Sequence, residues 1–256
     1  MFALQSEIAQ KIANRLGAQV SSVEKAAIEE PPTTDLVAYD AYLRAKDLIN
    51  GNTFSPRAKE DLFQAVELLS HAVARDPSFF NAYYELAAAH DKIYFLGFDH
   101  SKARLQFAET AIRSVRGQRP ESGETHLALA HHLYWAYRDY DQAKAQLAIA
   151  RRSLPNESRI PLLTGYIDRR QGHWEESLEE MKQALELDPH NFSILQQISL
   201  TYQALRRYEE ALSTLDNVLA IAPTDAASRV RRAWVAAEWR ADLKPLHTTI
   251  ETVLAE

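Results

Sequence analysis

Small and apolar residues recur along this chain at helical spacing. Four segments share the same order: a small residue, a larger apolar residue four positions on, another apolar residue three further, and a proline five after that. The four sets are Ala65-Leu69-Ala72-Pro77, Ala143-Leu147-Ala150-Pro155, Ser177-Met181-Ala184-Pro189 and Ala211-Leu215-Val218-Pro223. Steps of four and three place these side chains on one helix face, and the proline ends the helix. Each segment therefore predicts an α-helix with one buried face.

A second helix with the same kind of face precedes three of these segments. Its face positions are His126, Leu129, Ala130 and Leu133; Pro161, Thr164, Gly165 and Asp168; and Leu195, Ile198, Ser199 and Tyr202. The small residue of this first helix precedes that of the second helix by 12 residues in two cases and by 13 in another. The last three prolines are spaced by 34 residues. The pattern predicts helical hairpins that repeat about every 34 residues.

This periodicity resembles that of the tetratricopeptide repeat (TPR), in which W-x2-L-G-x2-Y is followed by A-x3-F and then P. The resemblance covers about Leu36 to Glu256 and implies an all-α, TPR-type helical-hairpin solenoid of five to six repeats forming a right-handed superhelix. An apolar stripe of Leu4, Ile8, Ile12 and Leu16 predicts an amphipathic helix before it. The expected organisation is this N-terminal helix at 1–30, a Pro-containing linker at 31–36 and the solenoid at 37–256.

Two early repeats depart from the pattern. An insertion at 50–56 leaves the register of the first repeat open. In the second repeat, Ala87 and Ala103 are taken as the two small residues; they are 16 apart, which predicts an extra turn or loop near 95–98. In this register Phe107 occupies a packing position.

A second resemblance involves residues 2–9 and 38–44. These segments are similar to those that join a TolB-like α/β domain to TPRs in bacterial multidomain signalling proteins. Such proteins begin with an adenylate or guanylate cyclase, a Ser/Thr kinase or a winged-helix DNA-binding domain. Since none of those signatures occurs here, the resemblance implies the C-terminal regulatory region of such a protein.

Composition narrows the function. The 256 residues carry 29 Lys and Arg against 35 Asp and Glu, a formal charge of -6, which disfavours a surface committed to nucleic acid. The absence of Cys excludes thiol nucleophiles and Cys-containing zinc sites. No apolar run reaches the roughly 18 residues that a membrane span needs. A cytoplasmic location is expected, or a periplasmic one if the parent protein has an upstream membrane span.

Candidate chemistry is sparse. His126, His131 and His132 are spaced by five and one, whereas two metal ligands on one helix face need three or four. The carboxylates near Glu175 follow a solvated helix face without an implied nucleophile. We therefore expect no enzyme activity, cofactor or metal.

The TPR resemblance implies a concave groove lined by the first helix of each pair, where aromatic and Arg side chains favour partner binding. The candidate groove residues are Tyr84, Asp91, Lys92, His131, Tyr134, Trp135, Arg159, Tyr166, Arg169, Arg170, Gln196 and Gln203. The expected function is a non-catalytic scaffold or sensor that binds a protein or peptide, preferably acidic or aromatic-rich. The alternative is a regulatory part of a cyclase or kinase polypeptide, or of a transcriptional regulator, that acts by self-association.

Self-association is expected at the last repeat. No polar capping helix follows it in the sequence, so Trp234, Val235, Ile250 and Val253 are expected to leave an apolar face at that end.

Overall fold

The computed structural model describes residues 32–50 and 56–255, together with Lys11. Every regular element in this part of the chain is helical, which confirms the all-α prediction. The elements are α1 Leu36–Asn50, α2 Ala58–Arg75, α3 Phe80–Phe95, α4 Lys102–Gln118, α5 Gly123–His132 with a following π-helical turn Leu133–Tyr137, α6 Tyr140–Ser153, α7 Arg159–Gln171, α8 Trp174–Leu187, α9 Phe192–Ala204, α10 Tyr208–Ile221, α11 Ala226–Arg240 and α12 Lys244–Ala255. The amphipathic helix predicted at 1–30 lies outside the described residues, apart from Lys11.

Consecutive helices pair as antiparallel hairpins, from α1 with α2 to α11 with α12. The chain divides into two compact units, the first built from α1 to α6 and the second from α7 to α12. Within each unit, the second helix of a hairpin also packs on the first helix of the next. This is the TPR-type hairpin arrangement that the 34-residue period predicts.

The four predicted sets of apolar positions lie at the centres of their hairpins. Every non-proline member of these sets is 2% exposed or less. Helices α7 and α8 approach closely at Gly165 of α7, where an added Cβ would lie 2.9 Å from Met181 Cγ and 3.0 Å from the Ser177 carbonyl oxygen. A glycine at this position lets α7 and α8 pack backbone against backbone.

Short polar side chains begin several helices, and residues in the left-handed conformation reverse the chain. The N-cap side chain accepts a backbone N–H at α1, α4, α5, α6, α9 and α11, where the N-cap residues are Asp35, Ser101, Ser122, Asp139, Asn191 and Asp225. The turns inside the last five hairpins each contain a residue with positive φ: Gly97, Arg138, Gly172, Arg206 and Ala241. Glycine adopts this conformation without strain, whereas the arginines and the alanine do so at an energetic cost.

The second hairpin corrects the predicted register. The small residue of its second helix is Ala108, which is fully buried, whereas Ala103 is exposed. Ala108 begins the set Ala108-Ile112-Val115-Pro120, with the same steps of four, three and five as the others. Phe107 is 55% exposed and is not a core residue. The physical reason is length: α3 and α4 have 16 and 17 residues, against 13 and 14 in α7 and α8, so both arms of this hairpin are extended.

The linker before α1 is held against the end of α2. The Thr33 hydroxyl donates to Asp76 Oδ2 at 2.5 Å. Asp35 accepts from the backbone N–H groups of Val37 and Ala38, and its carboxylate pairs with Arg75 at 2.8 Å. These bonds fix the start of the first hairpin.

Candidate partner-binding site

The predicted groove residues fall into two groups of six, one in each unit. The first group lies on α3, α5 and the π-helical turn. Four of its members are buried: Tyr84, Asp91, His131 and Tyr134. Lys92 and Trp135 are half-buried. Most side chains of this first group are therefore enclosed by neighbouring helices of the first unit.

Aromatic stacking and hydrogen bonds connect α3 to α5 and its π-helical turn. The Tyr84 hydroxyl and His131 Nδ1 are 3.0 Å apart, and the His131 ring stacks on Trp135 with centroids separated by 4.9 Å. Lys92 Nζ lies 5.6 Å from the centroid of the Trp135 ring and donates to the Ile49 carbonyl oxygen at 3.1 Å. Trp135 is held rigidly with part of its surface open.

Asp91 and His132 form a buried pair between α3 and α5. His132 Nδ1 donates to both Asp91 carboxylate oxygens, at 2.9 and 3.0 Å, and Asp91 is 1% exposed. Burial raises the pKa of the Asp91 carboxyl above its usual range, while the hydrogen bond and charge of His132 act to lower that pKa. No local sequence pattern signals this pair, because its members are 41 residues apart.

Two further polar contacts in the first unit involve side chains of α4. The Tyr137 hydroxyl donates to Glu109 Oε1 at 2.5 Å, and desolvation together with this bond raises the pKa of Tyr137 to about 12. Arg104 Nη1 donates to His90 Nδ1 at 2.9 Å. Burial and the Arg104 charge lower the pKa of His90 to about 4, so its ring is neutral at neutral pH.

The second group of predicted residues lies on α7 and α9. Arg159 forms a two-point contact with Glu157. The Arg169 guanidinium carbon lies 5.4 Å from the centroid of the Tyr166 ring. Tyr166 is half-buried and Arg170 is exposed. Arginine and tyrosine side chains thus cover the open face of α7.

Hydrogen bonds from this group connect successive first helices of the second unit. Arg169 Nη2 donates to Gln197 Oε1 at 2.9 Å, which joins α7 to α9. Gln196, which is buried, donates to Ser228 Oγ at 2.8 Å, and Gln203 donates to Glu238 Oε2 at 2.6 Å. The two glutamines therefore join α9 to α11. A role of these residues in binding a partner stays a prediction, and their role in repeat packing is visible.

The three histidines considered as metal ligands have separate partners. His131 bonds Tyr84, His132 bonds Asp91, and His126 Nδ1 donates to Gln146 Oε1 at 2.7 Å. In the described residues no group of three or more His, Asp or Glu side chains could hold a metal ion. Across the same ranges, no helix is long and apolar enough to cross a membrane.

The last hairpin exposes several apolar side chains. Trp234, Trp239, Leu243 and Leu254 are all exposed. Val235, in contrast, is fully buried, so it does not belong to the apolar end face that the sequence predicts.

Comparison with known proteins agrees with this geometry. Residues 169–233 match a family model described as tetratricopeptide repeat. The thermophilic TPR protein TTC0263 of Thermus thermophilus superposes with a TM-score of 0.61 at 22% identity, over 78% of this chain and 98% of that one. With the hairpins described above, these matches show that the chain has the TPR-type fold.

Two further solved structures share the fold. PilW, a type IV pilus biogenesis factor, has a TM-score of 0.58 at 15% identity, over 87% of this chain and 94% of that one. Human IFIT1, solved as a dimer with PPP-AAAA, has a TM-score of 0.56 at 16% identity, over 100% of this chain and 59% of that one. A search of curated proteins gives no significant match. At such identities the likeness concerns the fold, and function must be argued from the chain's own residues.

Proposed function

We propose that this chain is a non-catalytic scaffold that binds a protein or peptide through the first helices of its hairpins. TPR proteins generally mediate protein–protein interactions. The observation that supports binding is the same in both units: a cationic side chain lies over a half-buried aromatic ring and holds it in place. Lys92 lies over Trp135 in the first unit, and Arg169 lies over Tyr166 in the second.

Ordered aromatic side chains suit this role for an energetic reason. A partner that docks on Trp135 or Tyr166 does not have to freeze a mobile side chain, so less of the binding free energy is lost to entropy. Tryptophan, tyrosine and arginine are also the residues that most often dominate binding energy at protein interfaces.

The test is to capture partners from a lysate with the full chain and to measure the affinity of each purified partner. Trp135→Ala and Arg170→Glu are expected to weaken binding by at least about tenfold, the loss typical of a hot-spot residue. Trp174→Ala, on the second helix α8, is the matched control and should bind like the parent. Binding that is lost only in Trp174→Ala would contradict the proposal.

The exposed apolar residues of the last hairpin favour a second function. We propose that Trp239, Leu243 and Leu254 support self-association of a regulatory region within a bacterial cytoplasmic signalling protein. The resemblance of residues 2–9 and 38–44 to such proteins supports this context. The reading frame upstream of Met1 tests it: a cyclase, kinase or winged-helix domain in frame is the expected result.

A further inference from the structure

Charge is segregated between the two kinds of helix in the second unit. The first helices α7, α9 and α11 carry seven Arg against Asp168 and Glu238, a formal charge of +5. The second helices α8, α10 and α12 carry nine Asp and Glu against two Lys, a formal charge of -7. An acidic protein therefore presents a basic set of first helices in this unit.

The first unit shows the opposite pattern. Its first helices α1, α3 and α5 carry three basic and five acidic residues, a charge of -2. Its second helices α2, α4 and α6 carry nine basic and five acidic residues, a charge of +4. Basic first helices are thus specific to the second unit.

Three large side chains occupy equivalent positions on these basic helices. Tyr166, Leu200 and Trp234 follow one another at intervals of 34 residues. Tyr166 and Leu200 are half-buried, and Trp234 is 50% exposed. We call these three residues the apolar ladder.

Hydrogen bonds place the first two members of the ladder beside each other. Arg169, which lies over Tyr166, donates to the Gln197 carbonyl oxygen at 3.3 Å and to Thr201 Oγ1 at 3.2 Å. Gln197 precedes Leu200 by three positions and so lies on the same side of α9. The Tyr166 side of α7 therefore faces the Leu200 side of α9.

A second set of bonds places Trp234 next to Leu200. Arg231 donates to Gln203 Oε1 at 3.4 Å, and Gln203 donates to Glu238 Oε2 at 2.6 Å. Residues 231, 234 and 238 share one face of α11, because they are three and four positions apart. Gln203 lies on the same face of α9 as Leu200 for the same reason.

We propose that the apolar ladder and its flanking arginines bind an acidic peptide segment that carries large apolar side chains. This inference rests on the proposed function and specifies its partner. Arg169 and Arg170 supply positive charge at the Tyr166 end, and Arg231 supplies it near Trp234. The acidic second helices repel such a segment from the other side of the unit, which directs it to the first helices.

The spacing of the ladder defines the peptide. Side-chain hydrogen bonds join α7 to α9 and α9 to α11, which places the axes of successive first helices roughly 10 Å apart. A polyproline-II peptide rises about 3.1 Å per residue with three residues per turn, so every third side chain lies on one face, about 9 Å from the last. A segment with apolar residues at every third position and acidic residues between them can therefore place one apolar side chain on each of the three ladder residues.

A nucleic acid fits the ladder less well than this peptide. The central helix α9 carries no charged residue. At α9 a phosphate backbone would meet only the arginines that reach over from the neighbouring helices, Arg169 and Arg231, whereas apolar side chains can also dock on Leu200. Arg232 is also committed elsewhere, since it pairs with Asp216 on α10.

The test uses the full chain and fluorescein-labelled peptides in an anisotropy titration. The probe ELEELEEFE has apolar residues at every third position; KLKKLKKFK reverses its charge and EGEEGEEGE removes its apolar side chains. ELEELEEFE is expected to bind at least about tenfold more tightly than either control, a difference of about 1.4 kcal/mol. An oligouridylate of about 15 nucleotides is the nucleic-acid probe and is expected to bind more weakly than ELEELEEFE.

Variants locate the binding. Trp234→Ala is expected to weaken binding of ELEELEEFE at least about tenfold and Arg170→Glu at least about threefold. Trp174→Ala is the control, because Trp174 is 36% exposed on the acidic helix α8. Its affinity should stay within about twofold of the parent. Circular dichroism establishes that each variant is folded.

The inference is overturned if ELEELEEFE does not bind, if KLKKLKKFK or the oligouridylate binds as tightly, or if folded Trp234→Ala binds like the parent. These outcomes are separable from failure of the proposed function. A captured partner that is insensitive to Trp234→Ala and to excess ELEELEEFE leaves the scaffold function intact and removes the ladder as its site.

Discussion

Replacing His132 with alanine should expose the energetic cost of the buried Asp91 carboxylate. Asp91 is 1% exposed, and the two His132 contacts at 2.9 and 3.0 Å are its hydrogen bonds to α5. His132→Ala removes both and leaves an uncompensated carboxylate between the second and third hairpins. Loss of one member of a buried ion pair costs about 3–5 kcal/mol of unfolding free energy.

The size of this loss should depend on pH in a defined direction. The pKa of Asp91 is raised in the folded protein, above the usual value of 3.8, and burial is the main cause. A raised carboxyl pKa stabilises the fold while the group is protonated, and this stability is lost as pH rises through the folded pKa. Without His132, which lowers that pKa, the folded value rises further. The variant should therefore be closer to the parent at about pH 5 than at about pH 8.

Urea unfolding followed by far-UV circular dichroism measures the difference at both pH values. His90, whose pKa is lowered to about 4, destabilises the folded state as pH falls below its unfolded value of 6.5. That effect is present in parent and variant alike and cancels in their difference. His126→Ala is the matched control on α5: His126 is half-exposed, and its loss should cost about 1 kcal/mol or less.

A second variant separates buried charge from lost packing. In Asp91→Asn with His132→Ala the buried side chain cannot ionise, so this double variant should be more stable than His132→Ala alone at about pH 8. An equal loss at both pH values, together with no gain in the double variant, would refute the reasoning. The contact would then contribute through packing and not through charge.

Four further variants test the turns, the helix packing and the last hairpin. Ala241→Gly should raise the unfolding free energy by up to about 1 kcal/mol, because an L-residue in the left-handed conformation costs about 1–2 kcal/mol. Gly172→Ala should lower the unfolding free energy by about 1 kcal/mol for the same reason. Urea titration measures both changes. Gly165→Ala should lower the unfolding free energy by about 1–3 kcal/mol in the same assay, since the new Cβ would overlap α8. Leu243→Lys with Leu254→Lys should reduce concentration-dependent association in sedimentation velocity, and a parent chain that is monomeric throughout would contradict that expectation.

The hairpins were predictable because their cause is local. A helix that packs closely on its neighbour needs a small residue and a large apolar one at steps of four and three, and this requirement appears directly in the sequence. Ala143, Leu147 and Ala150 satisfy it, and the structure buries all three. The proline that follows ends the helix whatever surrounds it.

The register of the second hairpin was missed because the prediction assumed a fixed distance between its two small residues. Ala87 and Ala108 are 21 residues apart, since α3 and α4 are both longer than their counterparts. The steps from Ala108 to Pro120 match the other repeats, so the signal was present. Counting back from Pro120 by five, three and four residues identifies Ala108, because the proline marks the end of the helix whatever the length of that helix.

The sequence places the candidate binding residues on one helix face, but it does not predict whether they are free to bind a partner. That freedom depends on partners one repeat away, such as His131 for Tyr84 or Ser228 for Gln196. Both bonds involve side chains of ordinary polar type, and nothing in the local pattern distinguishes a polar residue that joins repeats from one that awaits a ligand.

The same helix face can therefore serve packing in one unit and recognition in the other. In the first unit, Asp91 and Tyr84 lie on that face and are buried by contacts to α5. In the second unit, the equivalent face carries Trp234, which remains half-exposed, and its polar neighbours Gln203 and Glu238 bond to each other beside it. Because those bonds satisfy the polar groups without covering the indole, a partner can bury Trp234 without leaving a broken hydrogen bond behind. Burial of the exposed part of Trp234 then adds to affinity, so we expect the acidic peptide to dock on the ladder, whereas the buried residues Tyr84 and Asp91 of the first unit serve packing.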